Sequence, residues 1–136
     1  MVRLWRALLP VMAPPPPTAG DTPIYGRLQP LVGGPAFLPL HVQIAYDGTR
    51  YDFLPLDPTA PTTTSALLRG GSVEGEIRIA SVPEESLSSR WQLIGYSGRP
   101  AAALRDFAEA QPTALSLRSN NCFTFGRALT EFLEGT

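Results

Sequence analysis

The sequence contains no lysine: all eleven of its basic residues are arginine. Set against twelve carboxylates they leave a formal net charge of −1, and charged residues make up only 17% of the chain. A chain this close to neutral lacks the basic excess that nucleic-acid binding draws on, so no nucleic-acid partner is expected. A single cysteine excludes an intramolecular disulfide and a cysteine-based zinc site. The redox compartment stays open, though a lone thiol sits more easily in a reducing one, and an intracellular protein is expected. A single histidine leaves any other metal site dependent on carboxylates, and we expect neither a metal nor a cofactor. No apolar run is long enough to span a bilayer.

What the chain does have is apolar content. Hydrophobic residues account for 43% of its 136 positions, enough for one globular domain that buries roughly two-thirds of its unfolded surface. Residues 1–23 stand apart. Met1–Met12 places Arg3 and Arg6 among Leu4, Trp5, Leu8 and Leu9, and Pro14–Pro17 follows. The proline run is extended and poor in donors, so residues 1–23 read as a proline-rich tail or linker and residues 24–136 as the domain. Arg6 and Pro10 interrupt the apolar stretch, against a secretory signal. Residues 1–12 remain open as a targeting sequence, a small amphipathic membrane-surface anchor, or a plain tail.

The strongest β signal is His41-Val42-Gln43-Ile44-Ala45-Tyr46 followed by Arg50-Tyr51-Asp52-Phe53-Leu54, with Asp47-Gly48 in the turn. A two-residue turn puts His41, Gln43 and Asp52 on one face, with Asp52 opposite Gln43 and diagonal to His41. Thr62–Arg69 reads as a short helix capped by Thr62, Thr63 or Thr64 and stopped at Gly70-Gly71. Val73–Val82 alternates, with Ile77 and Ile79 on one face, and Trp91–Tyr96 is a further strand. Pro100–Gln111 reads as a helix with Leu104, Phe107 and Ala108 buried, Pro112 ends it, and Leu115–Leu117 is extended. The last helix spans Cys122–Leu133, with Gly135 as its stop. Sequential strands flanked by helices indicate α+β, a small antiparallel sheet packed with helices.

Cys122 opens that last helix, three residues before Phe125 and on the stripe that continues through Leu129, Phe132 and Leu133. Asn120 or Asn121 can serve as N-cap. Unpaired N–H groups and the positive end of the helix dipole would then favour thiolate over thiol, and could stabilise an oxyanion at an attacked carbonyl. A thiol nucleophile needs a base, and His41 is the only histidine available. Asp52 and Gln43 are the candidates for orienting its ring. Against this, a lone cysteine is more often an inert buried side chain than a nucleophile, and Tyr51, Phe53 and Trp91 suit core or rim packing.

The order of an early strand histidine and a cysteine opening the last helix, with Ser119-Asn120-Asn121-Cys122-Phe123-Thr124-Phe125, resembles the Asn-Cys-x-x-Phe helix start of circularly permuted papain-like proteins. That group includes the PPPDE-type isopeptidases and the NlpC/P60 superfamily with its lecithin:retinol-acyltransferase-like branch. The hairpin His41–Pro55 and Trp91-Gln92-Leu93-Ile94-Gly95 are most similar to an uncharacterised plant and cyanobacterial branch. The resemblance covers roughly residues 38–135. It implies Cys122 as nucleophile, His41 as general base, Asp52 near a third polar position, and a bacterial cytoplasmic or plant and algal plastid location. The expected function is a cysteine-dependent hydrolase of an amide, isopeptide or thioester, acting on a protein or a small acyl or amide substrate. The alternative is a non-catalytic interaction or assembly subunit with the same fold.

Overall fold

The computed structural model describes residues 20–30, 40–87 and 90–135. The elements run β1 (Thr22–Pro30), β2 (Leu40–Tyr46), β3 (Thr49–Pro55), α1 (Pro61–Leu68), β4 (Val73–Ser81), a 3-10 turn (Glu84–Leu87), β5 (Gln92–Ser97), α2 (Ala101–Glu109), β6 (Ala114–Leu115) and α3 (Cys122–Leu133). The fold is α+β: a six-stranded sheet in the order β5-β1-β2-β3-β4-β6, antiparallel throughout, with three helices.

The β2–β3 hairpin turns on Asp47 (φ 49°) and Gly48 (φ 80°), both in the left-handed region that a tight two-residue hairpin requires. That turn fixes the register at Tyr46↔Thr49 and hence Gln43↔Asp52, as the sequence implies. The ladder stops there. β2 stays paired with β1 as far as Pro30↔Leu40, and β3 stays paired with β4 as far as Pro55↔Gly75. The His41 end of β2 therefore parts from β3, leaving a seam in the middle of the sheet.

Alternation assigns the two faces. Ile24, Val42, Ile44, Tyr46, Tyr51 and Phe53 share one core with Leu67 of α1, Leu104 and Ala108 of α2, and Cys122, Phe125, Leu129 and Leu133 of α3. The opposite face carries the row Arg27↔Gln43↔Asp52↔Arg78 across β1, β2, β3 and β4. β4 and β5 lie towards opposite ends of the sheet, so the chain between them must cross it. Val82, Leu87 and Trp91 of this crossing pack on Ala45 and Tyr25 in a second, smaller core.

Several expectations need correction. β1 begins at Thr22, inside the segment read as linker, and as a whole it lies outside the strands anticipated from sequence. The N-cap of α1 is Ala60, without a side-chain cap, and Pro61 takes the first helical position in place of a threonine cap. Pro100 is likewise the N-cap of α2, one residue before the helix itself. Residues 1–12, the candidate membrane-surface segment, lie outside the described residues. Among the described residues no helix is long and apolar enough to cross a membrane.

Candidate active site

α3 starts at Cys122 because Asn121 caps it. Asn121 Oδ1 accepts from the N–H groups of Phe123 (2.9 Å) and Thr124 (3.1 Å), and Thr124 Oγ1 accepts from the Asn121 N–H (2.9 Å). The reciprocal pair forms a capping box with threonine in the third helical position. Asn120 instead braces the preceding turn, where its side-chain amide donates to the carbonyls of Pro112 and Ala114. The cap thus engages the amides of Phe123 and Thr124, the first of which it shares with the thiol.

Cys122 is buried, with 3% of its surface exposed. Burial pushes its thiol up from an ordinary value of 9.0 to about 11. Contacts from the backbone N–H groups of Val42, Cys122 and Phe123 pull the other way, and the charge of Asp52 adds to the rise. This overturns the expectation of a resting thiolate: removing the sulfur from water costs more than the helix start returns. The Val42 contact places the sulfur at the β2–β3 seam, beside the residue that follows His41.

His41, Gln43 and Asp52 come together on the other side of that seam. Gln43 Nε2 donates to Asp52 Oδ2 at 2.8 Å, and His41 Nε2 lies 3.5 Å from the same oxygen, a long contact. All three are buried. Burial by itself would raise the Asp52 carboxyl, but hydrogen bonds from His41 and Gln43, with the charges of His41 and Arg78, hold it below its usual range. The ring is therefore braced through Nε2. Its Nδ1 is buried and has no hydrogen-bond partner, so the Cys122 thiol does not hydrogen-bond it in this structure. His41, Gln43 and Asp52 are thus joined to one another, while Cys122 sits in the main core and makes no hydrogen bond to the ring.

Sequence reasoning missed Arg27, whereas Trp91 packs in the second core as expected. Arg27 Nε donates to Gln43 Oε1 at 2.6 Å, and its guanidinium lies 4.4 Å from the centroid of the Trp91 ring. The signal was present in Ile24-Tyr25-Gly26-Arg27-Leu28-Gln29, which alternates apolar and polar positions around a glycine. Tyr51 and Phe53 are core residues, and Phe53 packs on Phe125 with ring centroids 5.7 Å apart. Among the described residues no group of three or more histidine, cysteine or carboxylate side chains is arranged to hold a metal.

No protein-family model matches the chain, no curated protein matches it, and no solved structure matches it.

Proposed function

We propose that the protein is a cysteine hydrolase of amide, isopeptide or thioester bonds on a permuted papain-like frame of the NlpC/P60 type. Cys122 is the nucleophile, His41 the general base, and Asp52 and Gln43 the residues that orient the ring. The observation that carries this reading is a buried imidazole braced at Nε2 by Asp52, with Nδ1 unpartnered, one residue from the amide that touches the Cys122 sulfur.

Because the thiol rests protonated, the chemistry requires proton transfer at the moment of attack. His41 Nδ1 takes the thiol proton as sulfur bonds to the substrate carbonyl carbon, and the N–H groups of Val42 and Cys122, which act on the sulfur, serve as donors to the developing oxyanion. Collapse of the tetrahedral species expels the amine or thiol, which leaves with the proton held on His41. Water then enters, gives its proton to His41, and hydrolyses the thioester to release acid and free thiol. Asp52, ionised at neutral pH, stabilises the imidazolium that forms twice in this cycle.

The test is labelling by a thiol-directed acylating probe across pH, in the wild type and in His41→Ala. The expected result is acylation of Cys122 near neutral pH that His41→Ala abolishes. A rate that simply follows a thiol of pKa about 11, unchanged in His41→Ala, overturns the proposal.

One observation favours a second reading, a non-catalytic interaction or assembly subunit of the same fold: Cys122, His41, Gln43 and Asp52 are all buried. On that reading Cys122→Ala keeps biological function and deletion of residues 1–23 abolishes partner binding. The reverse pattern excludes it.

A further inference from the structure

We propose that Arg27 is a positioning residue: acting through Gln43 and Asp52, it holds His41 as the tautomer whose Nδ1 carries a lone pair. The argument is one of polarity. A guanidinium has donors and no acceptor, so the Gln43 atom 2.6 Å from Arg27 Nε is the carboxamide oxygen. The Gln43 NH2 then faces Asp52, where it donates at 2.8 Å. An ionised carboxylate only accepts, so the ring nitrogen 3.5 Å from the same Asp52 oxygen carries the proton. A neutral imidazole has one ring proton. With it on Nε2, Nδ1 is left as the base, and this is the buried nitrogen without a partner.

Arg27 is the only member of this chain whose polarity cannot reverse. A carboxamide can turn over, and an imidazole can move its proton. If Gln43 turned, its oxygen would face the carboxylate and favour a protonated Asp52, which could then accept or donate towards His41. Trp91 holds the guanidinium in place from 4.4 Å, and Gln43 lies directly opposite Arg27 in the β1–β2 register. The other charged or titratable groups facing the chain are Arg78 on β4, directly opposite Asp52, and the Cys122 thiol on α3. Arg50 and Arg90 add positive charge around Arg27.

The proposed hydrolase reading enters this inference only in the use made of the lone pair. The tautomer itself is a property of the resting protein, read without turnover, so its failure and that of the hydrolase reading are distinguishable. His41 is the only histidine, and its ring resonances are therefore unambiguous in nitrogen-15 spectra of the full chain. The wild type is expected to show the Nε2–H tautomer, and so is Arg27→Lys, because an ammonium is also an obligate donor. Arg27→Met removes the donor, and Arg27→Gln supplies an amide that can face either way. In whichever of these folds, the ratio of Nε2–H to Nδ1–H is expected to fall about tenfold, the effect of losing one charge-assisted hydrogen bond. A wild type in the Nδ1–H form overturns the proposal. So does an unchanged ratio in folded Arg27→Met or Arg27→Gln, and so does loss of the ratio in Arg27→Lys to the same extent as in Arg27→Met.

Discussion

The backbone N–H of Val42 lowers the pKa of the Cys122 thiol against the larger rise that burial imposes, and the two residues share the main core. Theirs is one of the contacts between α3 and the strand that carries His41, at the place where β2 and β3 stop pairing. The amide is available to the sulfur where the sheet has parted. His41 and Asp52 belong to the face opposite the helices and Cys122 to the helical core, with the charge of Asp52 felt at the thiol. The candidate site is thus a property of the seam, and no one element contains it.

Burial of Cys122 makes a prediction about stability at high pH. The folded thiol titrates at about 11, above its ordinary value of 9.0. A raised folded pKa means that the fold prefers the protonated form. The contribution is therefore fully present below pH 9 and is lost as pH rises towards about 11. The loss is on the order of 2 kcal/mol. Urea unfolding of the wild type and Cys122→Ala near neutral pH and near pH 11 should show the difference between them shrinking at the alkaline end. Tyr51, also raised by burial, titrates in both proteins and cancels in the comparison. A constant difference across that range would mean that the thiol is not desolvated.

Asn121 should matter both to the helix and to the cysteine behind it. Asn121→Ala removes the acceptor for two helix-start amides and the side-chain donor to the Leu117 carbonyl, leaving only the backbone half of the capping box, Asn121 N–H to the Thr124 hydroxyl. The expected cost is about 1 kcal/mol, up to about 2, measured by urea unfolding. Because Cys122 is the first residue of α3, fraying of that turn should also expose it. Faster modification by a small alkylating reagent, at unchanged pH, is the second readout.

Much of this arrangement could be read from local chemistry. Asp47-Gly48 dictated a tight turn, and the turn alone sets Gln43 opposite Asp52. The start of α3 was legible for a similar reason, since asparagine caps act within one turn. β1 was hidden because Pro23, Gly26 and Pro30 interrupt its pattern, and its register exists only against β2 and β5. Losing β1 also lost Arg27. The Cys122 electrostatics failed for a different reason. A helix start is local and favours thiolate, whereas desolvation is set by what packs around the sulfur and here outweighs it.

Gly75 provides a test of packing at the edge of the main core. A Cβ built there would come within 2.6 Å of the Phe53 ring and 2.8 Å of the Thr113 carbonyl oxygen. Its own N–H donates to that same oxygen at 2.8 Å, so the backbone cannot retreat without losing the bond. Phe53 is held in turn by Phe125. Gly75→Ala should therefore destabilise by about 1 to 3 kcal/mol, although the position lies in a strand where alanine is ordinarily acceptable. Thermal unfolding measures it. A neutral result would show that Phe53 can move aside without cost.

Asp52 predicts the acid limb of the stability curve. Burial opposes its charge, but hydrogen bonds from His41 and Gln43, and the positive charges of His41 and Arg78, hold its folded pKa below the ordinary 3.8. A depressed folded pKa gives stability that is present above the unfolded value and is lost as pH falls through the folded one. Asp52→Asn keeps the shape and removes both the charge and this proton linkage. At neutral pH it should cost about 1 to 3 kcal/mol, since Gln43 and His41 lose a shared anionic acceptor. The penalty should narrow as the wild-type carboxyl protonates in acid. Glu134 has its carboxyl raised by burial, then by Glu131, and contributes with the opposite sign; it is common to both proteins and drops out of their difference. Unfolding curves for the two proteins that stay parallel from neutral pH into acid would show that the contacts of Asp52 do not favour its ionised form.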